Sequence, residues 1–205
     1  MLYIDDSVLL TPRERVDRCY GQMSEQRKEY VNKFALTRDR VNGIMVYDLL
    51  KRGLAQEKGI TIPPVFIFGQ YGKPFLRDYP EIHFSLSHCS KAVACAIGDK
   101  FVGVDIETIK PIDNSIINYT CNEEEKKDIM CSVCPEIEFT KIWTKKESYL
   151  KMIGLGVNGN IKDVLRSAAV ENSRFTIIIN EKKQYICCCC EMRENMCNHY
   201  ELKMN

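Results

Sequence analysis

Two carboxylates in Gly103-Val104-Asp105-Ile106-Glu107 are spaced so that they can act together. The apolar residues around them predict a strand, and residues two apart on a strand point to the same face. Asp105 and Glu107 would then lie side by side, which is costly unless a cation or a proton compensates their charge. Oxygen ligands of this kind suit Mg²⁺, which also binds substrate phosphates. The alternative is an acidic strand end that faces water.

A second candidate group lies on a predicted helix, Glu138–Ile153, where Trp143, Glu147 and Lys151 follow an i, i+4, i+8 spacing and share one face. A carboxylate there can take a proton or contact a metal, and a lysine can neutralise charge on a phosphate. The alternative is an exposed Glu–Lys pair, worth only about 0.2–0.5 kcal/mol. Lys146 falls among the apolar positions, and we expect its charged end to reach solvent.

Several other residues could donate to a phosphate. Ser87 and His88 follow a predicted strand, and Lys73 lies in the turn Gly72-Lys73-Pro74. A basic region nearer the N-terminus includes Arg27 and Arg40. Each of these also fits a polar turn or a solvated helix face when taken alone. A third carboxylate could come from Glu123-Glu124-Glu125, although acidic residues are also favoured in the first turn of any helix.

The composition excludes several classes of protein. A net charge of +1 argues against a general nucleic-acid binder. No apolar run is long enough to cross a membrane, and Met1–Leu10 does not resemble a secretory signal, so we expect a cytoplasmic protein without a membrane anchor. The 11 cysteines do not suggest a disulfide framework. Cys187–Cys190 are interpreted as a strand whose thiols pack as small apolar groups, while Cys131 and Cys134 have a weak zinc-like spacing.

The order of the predicted elements indicates an α+β protein. Gly98-Asp99 predicts a hairpin between the two strands that flank it. We expect a boundary that separates residues 1–102 from residues 103–205. The predicted elements are a helix over Arg38–Gly53, strands over Val65–Phe68, Ile82–Leu86, Ala92–Ile97 and Phe101–Ile106, helices over Asn122–Met130 and Glu138–Ile153, and a terminal hairpin of Arg174–Ile179 with Gln184–Met192.

Taken in order, four motifs resemble those of the surfactin-type 4′-phosphopantetheinyl transferases. The last two carry most of the weight, because both their spacing and their residue types agree with the family. The motifs are Tyr71-Gly72-Lys73-Pro74, His83-Phe84-Ser85-Leu86-Ser87-His88, Gly103-Val104-Asp105-Ile106-Glu107 and Trp143-Thr144-Lys145-Lys146-Glu147-Ser148-Tyr149-Leu150-Lys151.

The resemblance implies a fold of two similar α+β halves in one chain, with the active site in the cleft between them. It implies transfer of the phosphopantetheine arm of coenzyme A to a serine of an acyl, peptidyl or aryl carrier protein, with release of 3′,5′-ADP. A monomer would suffice. The first half would bind coenzyme A, and the second half would bind the metal and carry the catalytic residues.

The resemblance also assigns roles to residues. Mg²⁺ would be held by Asp105, Glu107 and Glu147. A further carboxylate of the family falls on Glu125 when the sequences are matched without a gap, and on Glu124 when one residue is skipped. Catalysis would involve Asp105, Glu147 and Lys151. Coenzyme A would be bound by Arg27, Arg40, Lys73, Ser87, His88 and Lys151.

One segment departs from the family pattern. The family carries Asp-x-x-Arg followed by a small polar residue, whereas this chain has Asp39-Arg40-Val41-Asn42-Gly43. Arg40 is the candidate substitute for the missing arginine.

Two alternative functions remain open from the sequence. One is a metal-dependent nuclease, because acidic residues with a lysine also suit phosphodiester hydrolysis. The other is a non-catalytic module stabilised by zinc.

Overall fold

The computed structural model describes residues 1–156 and 161–193, with backbone only for 168–169. The first half contains β1 (Leu2–Asp5), α1 (Arg13–Gly21), α2 (Glu25–Asn32), α3 (Thr37–Lys58), β2 (Phe66–Phe68), β3 (Pro74–Leu76), β4 (His83–His88) and β5 (Val93–Gly98). The second half contains β6 (Val102–Thr108), α4 (Asn114–Thr120), α5 (Glu123–Cys131), α6 (Pro135–Ile153), β7 (Ser173–Asn180) and β8 (Tyr185–Met192). Short 3₁₀ helices cover Val8–Leu10, Ile161–Arg166 and Ala168–Asn172.

The two halves share one topology. Each begins with a strand, continues through a long helix and ends in an antiparallel hairpin whose last strand lies in the middle of a three-stranded sheet. The strand orders are β1-β5-β4 and β6-β8-β7, and a separate hairpin joins β2 to β3. The α+β class is therefore confirmed. The boundary between residues 102 and 103 stays a prediction, and residues 157–160 and 194–205 of the second unit lie outside the described residues.

The hairpin predicted at Gly98-Asp99 is wrong. β5 pairs with β1 on one side and with β4 on the other, so both of its edges are taken. β6 instead begins the second sheet, where its partner is β8. The terminal hairpin of β7 and β8 is confirmed, and so is the placement of Cys187–Cys190 in a strand.

The two sheets meet where β4 lies beside β6. Ser85 Oγ accepts a hydrogen bond from the Val104 N–H at 3.0 Å, and Ser87 Oγ accepts one from the Ile106 N–H at 3.3 Å. Both serines are buried, and their alternate spacing points them to the same side of β4. The hydroxyls thus satisfy backbone donors that would be costly to bury unpaired. We call this contact the serine seam.

Helix α6 packs closely on β6, and Gly103 makes that approach possible. A Cβ at residue 103 would lie 2.0 Å from Ser148 O and 2.4 Å from Met152 N. The helix begins with Pro135 in its first turn and ends at Gly154, whose φ of 73° is the left-handed conformation that terminates helices. Among the described residues, no helix has the length and apolar character needed to cross a bilayer.

Lys146 corrects an expectation about this helix. Its side chain has 0% exposure and does not reach solvent. Its Nζ donates to Thr120 O at 2.7 Å, to Lys162 O at 2.9 Å and to Glu125 Oε2 at 2.6 Å. The buried ammonium therefore ties α6 to the last residue of α4, to the first turn of α5 and to the 3₁₀ helix that follows α6.

We expect Gly103→Ala to destabilise the protein, because the added methyl group would meet backbone atoms of α6 that cannot move independently. Overpacking of this kind costs about 1–3 kcal/mol, and the sub-van der Waals distances place this case at the upper end. Thermal unfolding should show a midpoint lower by about 5 °C or more. The control is Gly21→Ala, where nothing lies within 4 Å of the new methyl group. Equal stability of Gly103→Ala and the wild type would contradict the close approach.

Candidate active site

The central group of the site is the carboxylate of Asp105, which is 3% exposed on β6. Lys151 Nζ lies 2.6 Å from its Oδ1, and Ser87 Oγ donates to the same oxygen at 2.9 Å. Lys151 also donates to Ser87 Oγ at 3.0 Å. Thus β4, β6 and α6, which are far apart in sequence, each contribute one polar group to a single cluster at the serine seam.

The second oxygen of Asp105 is the atom that points to a ligand. Oδ2 is buried and has no hydrogen-bond partner within the described part of the chain. A buried carboxylate oxygen without a partner loses the free energy of hydration without compensation. A bound cation would supply that compensation.

Glu107 and Glu147 lie close enough to Asp105 for their charges to interact. Burial raises the pKa of Glu107 above its ordinary value, and Asp105 raises that pKa further, while a hydrogen bond from Trp143 opposes the shift. Burial likewise raises the pKa of Glu147, again with Asp105 as the next cause and with Lys151 opposing it. Three carboxylates therefore repel one another in a partly desolvated place, and a cation would relieve this repulsion.

The acidic cluster is not a preformed metal cage. Among residues 1–156 and 161–193, no three His, Cys, Asp or Glu side chains are already gathered tightly enough to hold a metal by themselves. Mg²⁺ does not require such a cage, since one or two carboxylates together with water and substrate phosphates commonly bind it. The carboxylates present therefore fit Mg²⁺, with Lys151 compensating part of their charge in the free protein.

His88 extends the site towards α2. Burial lowers the pKa of His88, and the charges of Lys151 and Arg27 lower it further, while Asp39 and Asp105 act in the opposite direction. The imidazole thus lies between the acidic cluster and Arg27. The Arg27 guanidinium lies 4.2 Å from the Tyr30 ring centre, and its buried Nε has no hydrogen-bond partner among the described residues.

Arg40 lies elsewhere. Its guanidinium is 5.3 Å from the Tyr20 ring centre, and it lines a cavity of about 760 Å³ between α1 and the start of α3. Asn42, at the family's arginine position, is buried and donates from Nδ2 to Cys89 O at 3.0 Å. It therefore holds the turn after His88 against α3. Sequence reasoning missed this contact, and only the departure from the family pattern marked the position.

The polar contacts of Glu125 are with residues outside the acidic cluster. It completes a capping box at the start of α5, accepting from the Asn122 N–H at 2.9 Å, and its Oε2 accepts from the buried Lys146. Glu124 forms an ion pair with Arg166 at 2.7 Å. Glu125 is thus held by contacts that stabilise the fold, whereas the Glu124–Arg166 pair is largely exposed and adds little stability.

Two cavities of about 230 Å³ each adjoin the cluster. One is bordered by Lys151 and Gly154 of the second half and by the turn and strand residues Tyr71–Pro74 and Phe84–Leu86 of the first. The other is bordered by Glu107, Lys110, Phe139 and Trp143. Substrates could thus reach the carboxylates from two sides.

The cysteines do not form a zinc site in the described residues. Cys131 and Cys134 are exposed free thiols. Cys187 and Cys188 have their pKa raised by burial, which keeps them as thiols that pack like small apolar side chains. A zinc-stabilised module is therefore not favoured.

The fold and the cluster define an α+β protein in which carboxylates and a lysine meet at the junction of two similar halves. The model of the 4′-phosphopantetheinyl transferase superfamily matches residues 101–202. A 4′-phosphopantetheinyl transferase of Bacillus subtilis is 29% identical over 147 residues, 69% of this chain and 65% of that protein. The transferase psf-1 of Bacillus pumilus is 38% identical over 89 residues, 42% of this chain and 38% of that protein.

The chain belongs to the 4′-phosphopantetheinyl transferase superfamily, which confirms the resemblance carried by the four motifs. The matches span less than two thirds of the length of these relatives. A solved structure, the holo-[acyl-carrier-protein] synthase of Thermotoga maritima, is 16% identical with a TM-score of 0.38, covering 45% of this chain and 62% of that one. At that score the structural likeness carries no weight.

We expect Glu147→Gln to stabilise the free protein at neutral pH. A carboxyl group whose pKa is raised on folding contributes stability that is complete below its unfolded pKa, near 4.5, and is lost as the pH rises through the folded value. The glutamine variant does not suffer this loss. The advantage of the variant in free energy of unfolding, measured by chemical denaturation, should therefore grow from pH 4 to pH 7.

The control for this titration is Glu29→Gln, at an exposed position of α2. It should show no such dependence on pH. A Glu147→Gln variant that is less stable than the wild type at pH 7 would contradict the electrostatic description of the cluster.

We expect Glu125→Gln to lower the stability of the protein without lowering its affinity for Mg²⁺, whereas loss of a metal ligand would lower that affinity. The amide keeps an acceptor for the capping box but removes the charge that compensates buried Lys146, at a cost of about 3–5 kcal/mol. Isothermal titration with Mg²⁺ should give the same affinity as the wild type below the unfolding temperature. Loss of Mg²⁺ binding with unchanged stability would instead return Glu125 to the metal site.

Proposed function

We propose that this protein transfers the 4′-phosphopantetheine arm of coenzyme A to a serine of an apo acyl, peptidyl or aryl carrier protein, and releases 3′,5′-ADP. The observation that carries the proposal is the buried Asp105 carboxylate in a chain of this superfamily: Lys151 lies on one oxygen, and the other has no partner within residues 1–156 and 161–193. Membership of the superfamily favours transfer over the nuclease alternative.

Mg²⁺ is the metal that the donor set suits, held by Asp105 and Glu107 with Glu147 as a further contact. All three groups offer hard oxygen ligands, and two of them have a raised pKa, so each gains when a cation neutralises the crowded charge. When bound, the metal would place a positive charge beside the coenzyme phosphates. It would thereby stabilise the negative charge that develops on them during transfer. Glu125 and Glu124 are left out of this set because both are engaged elsewhere.

The coenzyme phosphates would be bound by the groups that line the path from Lys151 to α2. Lys151 already pairs with a carboxylate oxygen and with Ser87, so a phosphate oxygen can take over one of these contacts. Beyond Ser87 lie the His88 imidazole and the Arg27 guanidinium, whose Nε has no partner in the part of the chain that the structure describes. Arg40 stays a weaker candidate, since it faces the cavity beside α1.

The chemistry then follows from the positions of Glu147 and Lys151 on one face of α6. Glu147 is either a further metal contact or the general base; in the second role its carboxylate would take the proton from the carrier serine hydroxyl as the serine oxygen bonds to the phosphorus that bears pantetheine. The bond from that phosphorus to the oxygen of 3′,5′-ADP breaks in the same displacement. Lys151 stabilises the charge that accumulates on the leaving phosphate.

The proposal is tested by incubating the protein with coenzyme A, Mg²⁺ and several apo carrier proteins, followed by mass spectrometry of the carriers. We expect a phosphopantetheine mass increase on at least one carrier, and none when Mg²⁺ is chelated. No mass increase on any carrier would count against the function. Cleavage of a plasmid under the same conditions would favour the nuclease alternative.

Asp105→Ala should reduce transfer by at least about 100-fold, because the variant loses the central metal ligand and the partner of Lys151. The fold should survive, since a buried carboxylate that repels its neighbours is removed together with its charge. Circular dichroism and thermal unfolding check the fold, and the carrier assay checks the activity. Asp78→Ala, at an exposed surface position, is the control. Full activity of Asp105→Ala would exclude the metal assignment.

A cytoplasmic location, a monomeric state and the absence of nucleic-acid binding stay predictions.

A further inference from the structure

The side chain of Lys73 makes an unexpected contact between the two halves. Lys73 ends the tight turn between β2 and β3, which is closed by hydrogen bonds from the Gly69 N–H to Lys73 O at 3.0 Å and from the Gly72 N–H to Gly69 O at 2.9 Å. From this turn its Nζ reaches across to α6 and donates to Met152 O at 2.5 Å. The contact joins residues 79 positions apart.

The acceptor is one of the carbonyls that a helix cannot satisfy internally. The last four carbonyls of an α-helix lack partners within it, and a cation near that end also complements the helix dipole. At the end of α6, Leu150 O accepts from the N–H groups of Gly154 and Leu155 at 2.9 and 3.3 Å. Met152 O is satisfied by Lys73 instead.

The remainder of the Lys73 side chain is enclosed by its surroundings. A Cβ at Gly154 would lie 3.1 Å from Lys73 Cδ, so the aliphatic stem packs directly on the residue that ends α6. The Nζ also lies 5.5 Å from the Phe101 ring centre and 5.9 Å from that of Phe75, which are distances typical of cation–π contacts. The ammonium is thus aimed at the helix end rather than into solvent.

This contact crosses one end of the cavity that adjoins Lys151. The turn that carries Lys73 forms one wall of that cavity, and the last turn of α6 with Gly154 forms another. Lys151 directly precedes Met152 in the chain. A change in the position of the last helical turn would therefore move Lys151 relative to Asp105.

We propose that Lys73 is a positioning residue: its Nζ, hydrogen-bonded to Met152 O, holds the last turn of α6 against the β2–β3 turn and so fixes Lys151 over Asp105. This role rests on the proposed transfer reaction. It differs from the expectation that Lys73 binds a coenzyme phosphate, because the group that the side chain serves is a backbone carbonyl of the chain itself.

The electrostatic surroundings of Lys73 support this role. Burial lowers the pKa of Lys73 to about 7. The titratable groups that face it are Cys190 on β8, which opposes the shift, and His83 on β4, whose own pKa is lowered by burial and then by Lys73. A lysine that is partly neutral near pH 7 is a poor point charge for a phosphate, whereas a neutral amine still donates to a carbonyl.

Two variants separate the roles, since Lys73→Met keeps the stem without a donor and Lys73→Gln keeps a neutral donor without a charge. We expect Lys73→Met to lower kcat about 10-fold while KM for coenzyme A changes less than about 3-fold, because misplacing a catalytic group chiefly affects the transition state. Lys73→Gln should recover most of kcat. Lys182→Met, at an exposed turn position, is the control and should match the wild type.

Hydrogen exchange of the α6 terminus supplies a readout that is independent of activity. The amides of Gly154 and Leu155 should exchange faster in Lys73→Met than in the wild type, and should return towards wild-type rates in Lys73→Gln. If the wild type modifies no carrier, the proposed function fails, yet this comparison still decides whether Lys73 holds the helix end.

The opposite results would overturn the inference. If Lys73 binds phosphate as a cation, both variants should be equally impaired, with the loss mainly in KM and in calorimetric affinity for coenzyme A. The wild type should then also bind coenzyme A more tightly than the two variants at pH 6.0, and this difference should shrink towards pH 8.5 as the amine of Lys73 loses its proton. Unchanged exchange at Gly154 and Leu155 in Lys73→Met would equally exclude the positioning role.

Discussion

The site depends on how closely α6 can approach β6. Gly103 lacks the side chain that would otherwise meet Ser148 O and Met152 N, so the helix backbone lies directly against the strand. Because of this approach, Lys151 near the end of α6 reaches Asp105 two residues beyond Gly103 on β6. A larger residue at 103 would lift the helix, and with it the residues on its inner face. The spacing of a single backbone contact thereby determines whether the lysine and the carboxylate meet.

The serine seam provides the second constraint, from the other half of the chain. Ser85 and Ser87 lie on one side of β4, and their hydroxyls accept hydrogen bonds from backbone amides of β6. Ser87 also donates to Asp105, so one hydroxyl both joins the sheets and orients the carboxylate. Two halves with the same strand order can therefore share a site that neither half contains alone, since the cluster needs β4 from the first and both β6 and α6 from the second.

Two lysines of α6 show how similar residues acquire different roles from their surroundings. Lys146 and Lys151 belong to one helix and are five residues apart. Lys146 has carbonyl and carboxylate partners that satisfy its ammonium completely within the fold, so it stabilises the junction of α4, α5 and α6. Lys151 is paired with Asp105 and Ser87, and the second oxygen of Asp105 has no partner among the described residues. The first arrangement is closed to ligands, whereas the second can exchange partners when a phosphate arrives.

The sequence by itself indicated the family through its motifs and predicted the α+β class. It also predicted that Asp105 and Glu107 share a strand face and that Glu147 and Lys151 share a helix face, because strand and helix periodicities are local properties of the chain. Only the tertiary structure decided which of these groups meet. It separated Glu125 from the cluster, directed Lys73 to a helix end and placed Arg40 in another cavity. It also replaced the adjacent hairpin expected at Gly98-Asp99 with long-range pairing of β6 and β8. Partners of this kind depend on packing between segments distant in sequence, which local residue patterns do not encode.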